Sequence, residues 1–239
     1  MRPEPELRRA SSPVTLASPW HTAALIAVML AVATAGTLLE HAGSRQAASV
    51  VHPSSAGDRI WGQYLPLLLV NGLLVLYVAR LFRPRNVLPQ LIGRGFRGSA
   101  DDLVDLLYAS LAFAFIVAVE ALTRSLFAGR NAAVSALLPS TEAERLTWLF
   151  VASSVGFCEE VVYRGYLQTQ LSAFTRSARL GVLLQAALFG VAHLEQGAGA
   201  ALRIGVYGLV LGALARHRGS LVPGIACHIG IDLAGGLLH

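Results

Sequence analysis

The sequence predicts an all-α membrane protein: a polytopic bundle of about seven or eight transmembrane helices, with four C-terminal helices forming a core of their own. Hydrophobic residues make up 54% of the chain and charged residues only 14%, whereas a soluble domain has about 25% charged residues. Several apolar stretches also approach the length of about 20 residues that a helix needs to cross the hydrocarbon core. Lipid is therefore the expected solvent for most of the chain.

Seven segments of the chain are predicted to cross the membrane. The second and third are uninterrupted apolar runs, whereas the fourth, fifth and seventh contain ionisable residues. The segments are 20–39, 61–79, 103–122, 147–170, 180–196, 199–215 and 220–238.

The basic residues of the chain are 19 arginines, and there is no lysine. If the N-terminus is inside, 12 arginines lie in inside segments, 6 lie outside and one, Arg164, lies within a span. The positive-inside rule then favours an integral protein of the cell inner membrane with a cytoplasmic N-terminus. The arginines form no patch, so no nucleic-acid partner is expected.

The chain is predicted to have three regions. Residues 1–19 are polar and rich in Pro and Ser, which favours a disordered cytoplasmic tail. Residues 20–140 hold three spans, and no spacing there indicates chemistry; Glu120 lies near a helix end, where its carboxylate can reach the interface. Residues 141–239 hold the remaining four helices, joined by short connections.

Two local patterns support this C-terminal region. Ser140 or Thr141 followed by Glu142 and Glu144 is typical of a capping box, so a helix is expected to begin near residue 142. Gly208-x-x-x-Gly212 has the spacing of small residues that lets two membrane helices approach closely.

The fourth span contains the run Glu159-Glu160-Val-Val-Tyr-Arg164. An ionised side chain at the centre of a membrane helix costs roughly 2.5–3.5 kcal/mol, so these residues need partners. Glu160 and Arg164 are four residues apart and can pair on one helix face. Glu159 is rotated by about 100° from Glu160, so its partner must come from another helix.

The predicted partners of Glu159 are His193 in the fifth span and His228 and Asp232 in the seventh. At 1.5 Å per residue, all four side chains fall roughly 12–20 Å from the inner surface. Any one of them alone is more simply explained as an interhelical hydrogen bond. The set, with two carboxylates and two imidazoles at one depth, indicates a functional site.

Two cysteines adjoin these residues. Cys158 and Cys227 both lie in membrane segments and are expected to be small buried apolar side chains. Each points about 100° away from the neighbouring ionisable residue, which disfavours a thiol–imidazole nucleophile pair.

Three motifs carry a family resemblance. Glu159-Glu160-x-x-x-Arg164, Phe189-x-x-x-His193 and His228-x-x-x-Asp232 resemble the motifs of the CAAX protease and bacteriocin-processing (CPBP) family of intramembrane proteases, which includes the type II CAAX prenyl endopeptidases. The run Gly219–Ile225 before His228 is also similar to that of the family. The resemblance covers residues 142–239 and implies that the region 141–239 is the protease domain, with its four helices as the catalytic core.

The resemblance implies hydrolysis of a peptide bond within the bilayer by an activated water. Glu159 would be the general base, His193 would hold or deprotonate the water, and His228 with residue 232 would stabilise the oxyanion. Glu160 and Arg164 would hold the base in place.

The last motif departs from the family, which often has Asn where this chain has Asp232. An ionised aspartate cannot donate to an oxyanion. It could instead orient His228, remain protonated or ligate a metal. Glu159, His193 and His228 would also suit zinc, although the chain has no His-Glu-x-x-His motif. A metal-independent site is favoured over a metalloprotease.

The expected partners are the lipid bilayer and a membrane-associated peptide or protein substrate, prenylated or leader-bearing among the candidates. One alternative is a transporter or proton relay, since buried Glu, His and Asp sets also mark ion pathways, but the broken helices and inverted repeats typical of transporters are not evident. Another is a non-catalytic membrane scaffold of the same family.

Overall fold

The computed structural model describes residues 15–46, 56–81, 89, 92–93, 100–124 and 137–238 of the 239-residue chain. Within these ranges the chain is almost entirely helical and has no strand, only an isolated bridge between Gly93 and Ser220. The predicted all-α fold is confirmed. The tail predicted to be disordered comprises residues 1–19, of which residues 1–14 lie outside the described part of the chain.

The described residues form α-helices joined by two π-helical segments and one 3₁₀ turn. The π-helical segments are Ile60–Tyr64 and Glu160–Leu167, and the 3₁₀ turn is Leu194–Gln196. The α-helices are α1 (Pro19–Gln46), α2 (Ala56–Arg59), α3 (Leu65–Leu81), α4 (Ala100–Arg124), α5 (Glu142–Glu159), α6 (Gln168–Thr175), α7 (Ala178–Val191), α8 (Ala198–Arg218) and α9 (Val222–Leu237).

Five helical stretches in the described part of the chain are long and apolar enough to cross a membrane. They are Pro19–Leu38, Ile60–Arg80, Ala100–Thr123, Glu142–Thr175 and Ala198–Arg218. They match five of the seven predicted segments, and they support an integral membrane protein.

The two remaining predicted segments correspond to shorter apolar helices. α7 has 14 residues and α9 has 16, so at 1.5 Å per residue they are about 21 and 24 Å long, less than the roughly 30 Å of the hydrocarbon core. The fifth segment ends earlier than predicted because the chain turns through the 3₁₀ segment and Gly197, whose φ is 89°.

The beginning of α5 confirms the predicted capping box. The Thr141 side chain accepts the Glu144 N–H, and Glu144 Oε2 accepts the Thr141 N–H at 3.1 Å. The same carboxylate pairs with Arg59 Nη1 at 2.5 Å. Glu144 therefore starts the helix and also binds it to the short helix α2.

Close packing of α7 against α8 confirms the role predicted for the two glycines of α8. A Cβ atom at Gly208 would lie 3.0 Å from the Ala186 Cα atom. The Gly208 carbonyl is also bound across this contact, because Gln185 Nε2 of α7 donates to it at 2.8 Å. The Gly212 carbonyl accepts a hydrogen bond from Gln168 Nε2 of α6 at 3.0 Å.

The π-helical segment Glu160–Leu167 is a feature that the sequence analysis did not predict. Its eight residues are all buried, and it continues α5 into α6 as one apolar rod. π-Helical turns inside α-helices are uncommon and often occur at functional sites. This one begins at Glu160, the second residue of the glutamate pair.

Helices α1 and α3 pack against the π-helical segment. Leu25 and Met29 of α1 and Val78 of α3 share one apolar cluster with Tyr166 and other residues of the segment. Polar contacts reinforce the α1 packing, because Thr22 Oγ1 lies 3.0 Å from Tyr166 Oη. The N-terminal helices thus enclose one side of the glutamate-bearing rod.

Candidate active site

The centre of the candidate site is His228 of α9, which lies against the start of the π-helical segment. Its Nδ1 atom is 2.9 Å from Glu160 Oε1. An ionised carboxylate oxygen can only accept a hydrogen bond, so Nδ1 carries the proton and donates it. Arg164 Nη1 lies 2.8 Å from the same oxygen. Glu160 is therefore shared between a guanidinium on its own helix and an imidazole on another.

The Glu160–Arg164 pair predicted from the four-residue spacing is confirmed, and both side chains are 0% exposed. The arrangement leaves hydrogen-bonding capacity unused. Glu160 Oε2 and the three side-chain nitrogens of Arg164 have no hydrogen-bond partner among the described residues. Arg164 Nη1 and Glu160 Oε1 form a close ion pair that is not aligned as a hydrogen bond. The guanidinium instead lies over the Phe189 ring, 4.2 Å from its centroid.

Two further carboxylates face the other nitrogen of His228. Glu159 Oε2 is 3.7 Å from Nε2, and Asp232 Oδ2 is 3.8 Å from it. Both distances are longer than a direct hydrogen bond. The side chains of Glu159 and Asp232 are 15% and 26% exposed, in contrast to Glu160. The accessible part of the cluster is therefore the Nε2 side of His228.

His193, at the end of α7, joins the cluster through Phe189. Its Nδ1 lies 2.7 Å from the Phe189 carbonyl oxygen, which can only accept, so Nδ1 is the protonated nitrogen of the ring. The Phe189 ring lies edge-on between the imidazoles, 4.8 Å from His193 and 5.8 Å from His228 between centroids. Within the described chain, His193 forms no ion pair with the carboxylates of the cluster.

The zinc alternative required Glu159, His193 and His228 to converge on one point. Across the described ranges, no group of three or more His, Cys, Asp and Glu side chains is arranged to hold a metal ion. In the described part of the chain, these three side chains do not converge as a set of zinc ligands.

Three other ionisable or reactive side chains from the sequence analysis lie outside the cluster. Cys227 is buried in an apolar cluster and Cys158 is partly buried; both are free thiols. Glu120 pairs with α8, where its Oε2 is 3.1 Å from Arg203 Nε and 2.6 Å from Tyr207 Oη.

Sequence reasoning missed two features of the cluster. It assigned Glu160 to Arg164 alone, because the helix geometry that it used did not include a π-helical segment or the approach of α9. The contacts of the Phe189 ring with Arg164, His193 and His228 were also not predicted, because Phe189 entered only as the first residue of a motif. The four-residue spacing from Phe189 to His193 was the one signal that could have indicated this role.

Comparison with known proteins agrees with this geometry. Residues 141–234 match the family model described as type II CAAX prenyl endopeptidase Rce1-like. This range contains every residue of the cluster and all three motifs. No curated protein and no solved structure matches the chain. Together with the apolar spanning helices, the match indicates a CAAX-type protease in a membrane. The region 141–234 is therefore similar to the Rce1-like type II CAAX prenyl endopeptidases.

Proposed function

We propose that the protein is an intramembrane endopeptidase that hydrolyses a peptide bond of a membrane-associated substrate with a water activated by Glu159. The observation that carries this proposal is the position of His228, which lies between a fully buried glutamate on one side and two partly exposed carboxylates on the other. One side of the imidazole is fixed, and the other side is open to a reactant.

Glu159 is the general base in this proposal because it is the accessible member of the glutamate pair. Glu159 Oε2 and His228 Nε2 are 3.7 Å apart, so a water molecule lying beside the pair would be within hydrogen-bond reach of both. Glu160 is fully buried and already bonded, so it cannot take this role. General-base help of this kind contributes about 10²–10⁴ in rate.

His193 is suited to hold the attacking water. Its Nδ1–H is bound to the Phe189 carbonyl, so in the neutral ring Nε2 carries the lone pair and can accept a hydrogen bond from water. The water oxygen would attack the scissile carbonyl carbon while Glu159 takes its proton. Glu159 would then return this proton to the leaving amine, which restores the carboxylate.

His228 is assigned to the oxyanion that forms in this step. With Nδ1–H donating to Glu160, the imidazolium form also carries a proton on Nε2, which can donate to the negative oxygen. Asp232 cannot donate while it is ionised. We assign it an electrostatic role beside Nε2, at 3.8 Å, in place of the oxyanion contact that an asparagine would supply.

The substrate class and the membrane orientation are part of the same proposal. The proposed substrates are prenylated C-termini or leader-bearing peptides, because a site within the membrane acts on membrane-associated peptides. The excess of arginines in alternate loops favours a cytoplasmic N-terminus and a location in the cell inner membrane. Residues 141–239 form the protease domain and residues 20–140 a separate set of spans.

Cleavage of membrane-bound peptides by the purified protein tests the proposal. Glu159→Gln should lower the rate by about 10²–10⁴. Glu120→Gln is a matched control, because it removes another ion-paired intramembrane carboxylate that lies outside the cluster; its rate per folded molecule should equal that of the wild type. Equal rates for Glu159→Gln and the wild type would refute the assignment. An inactive wild type with substrates of both classes would refute the proposed function.

A further inference from the structure

A tryptophan connects the two helices that carry the cluster. Trp148 of α5 is 7% exposed, and its indole N–H donates to the main-chain carbonyl oxygen of Asp232 in α9 at 3.0 Å. In an α-helix this carbonyl also accepts the N–H of the residue four positions later. A carbonyl oxygen has two lone pairs and can accept both. The indole is thus bound to the main chain of a residue of the candidate site.

Gly236 makes this contact possible. A Cβ atom at this position would lie 2.0 Å from Trp148 Nε1 and 2.4 Å from its Cε2 atom. Any side chain would therefore displace the indole from the Asp232 carbonyl. The neighbouring Gly235 has no such restriction, since nothing lies within 4 Å of a Cβ placed there.

The contact fixes one half of the cluster relative to the other. Glu159 lies at the end of α5, the helix that carries Trp148, whereas His228 and Asp232 lie on α9. A shift of α9 by one residue along its axis would move these groups by about 1.5 Å and rotate them by about 100°. A displacement of 1 Å at a reacting centre can cost about 10²-fold in rate. The indole bond opposes such a shift at Asp232 itself.

We propose that Trp148 is a positioning residue of the site, admitted by Gly236, and that it holds α9 in the register at which His228 and Asp232 face Glu159. Its effect on cleavage rests on the proposed function. Trp148 contacts none of the reacting atoms; it acts through the main chain of α9.

The first test compares two variants that each remove one hydrogen bond from the same apolar cluster. Trp148→Phe removes the indole donor. Tyr64→Phe removes a phenol that donates to the Leu137 carbonyl at 3.0 Å, and its ring lies 5.5 Å from that of Trp148. Trp148→Phe should lower kcat by about tenfold or more with little change in KM, whereas Tyr64→Phe should leave kcat unchanged. The same kcat in both variants would overturn the proposal.

The second test does not depend on activity. The chain has three tryptophans, and the other two, Trp20 and Trp61, are 83% and 71% exposed. The NMR signal of the Trp148 indole N–H is the one that is lost in Trp148→Phe, and its hydrogen bond to the Asp232 carbonyl should make it exchange slowly.

Exchange of this indole proton should become about tenfold faster or more in Gly236→Ala and should stay at the wild-type rate in Gly235→Ala. Wild-type exchange in Gly236→Ala would overturn the proposal even if the protein cleaves peptides. The expected exchange pattern without any cleavage would support the helix contact and count against the proposed function alone.

Discussion

Two buried glutamates of the same helical rod, Glu144 and Glu160, both pair with an arginine but differ in how completely they are bonded. One oxygen of Glu144 accepts from Arg59 at 2.5 Å, from Ser140 N at 2.7 Å and Oγ at 3.0 Å, and from Thr141 N at 3.1 Å. Glu160 Oε1 is shared by Arg164 and His228, and its Oε2 has no hydrogen-bond partner among the described residues.

The difference separates a structural pair from a candidate catalytic one. Glu144 is bonded by the groups that begin its helix, so its contacts explain its burial without any further role. Around Glu160 the polar groups are only partly satisfied, which is costly in an apolar interior. A catalytic role is one of the recognised reasons for such groups, beside a bound water or ion. The imidazole bound to Glu160 presents its second nitrogen to Glu159 and Asp232, and this is the side of the cluster where we propose that the reaction occurs.

The largest expected effect comes from removing the two arginines in turn. Arg164→Ala leaves Glu160 buried without its cation, which should destabilise the protein by about 3–5 kcal/mol and also abolish cleavage. Arg59→Ala should cost less stability, because main-chain and hydroxyl donors still bind Glu144. Its cleavage rate per folded molecule should be that of the wild type.

Thermal unfolding in detergent together with cleavage assays measures both effects. If Arg164→Ala expresses normally and keeps full activity, the pairing has no role in the site. If Arg59→Ala loses cleavage as completely as Arg164→Ala, the contrast between the two pairs is wrong.

A smaller effect is expected at Phe189, whose ring contacts the arginine and both imidazoles. Phe189→Leu removes a buried cation–π contact worth about 0.5–2 kcal/mol and releases His193 and His228 from its edges. Stability should fall by about this amount, and kcat should fall more than in a matched control. Phe150→Leu is that control, because Phe150 is a 65% exposed phenylalanine of α5. Equal kcat for the two variants would remove Phe189 from the account of the site.

The smallest effect is expected from Asp232→Asn. An amide at this position can donate to the oxyanion, which the aspartate cannot do, so cleavage should remain at or above the wild-type rate. Asp105→Asn serves as the control outside the cluster, since Asp105 pairs with Arg218 at 2.5 Å and should affect stability only. A large loss of cleavage in Asp232→Asn, not seen in Asp105→Asn, would show that the charge of Asp232 is required.

Much of the fold could be predicted from the sequence because lipid imposes simple rules. Apolar length predicted the positions of the seven apolar helices, and side-chain spacing predicted the capping box at Glu144 and the pairing of Glu160 with Arg164. These features depend on residues close together in the chain. The close packing expected at Gly208 is also a local signal, although its partner helix was not specified.

The rest depends on contacts between distant residues and on main-chain geometry. A π-helical segment has no distinctive composition, so residue patterns did not predict one at Glu160. The bond from His228 to Glu160 needed the register of α9 against α5, which side-chain periodicity does not define. The same holds for Trp148, whose partner is a main-chain carbonyl 84 residues away.

The most direct test of the central claim, a glutamate-activated water without a metal, is cleavage by the purified protein before and after metal removal. Metal content is measured on the same sample, with Glu159→Gln in parallel. We predict that chelator treatment leaves the cleavage rate unchanged and that Glu159→Gln is inactive under both conditions. Loss of cleavage on chelation, restored by added zinc, would contradict the account.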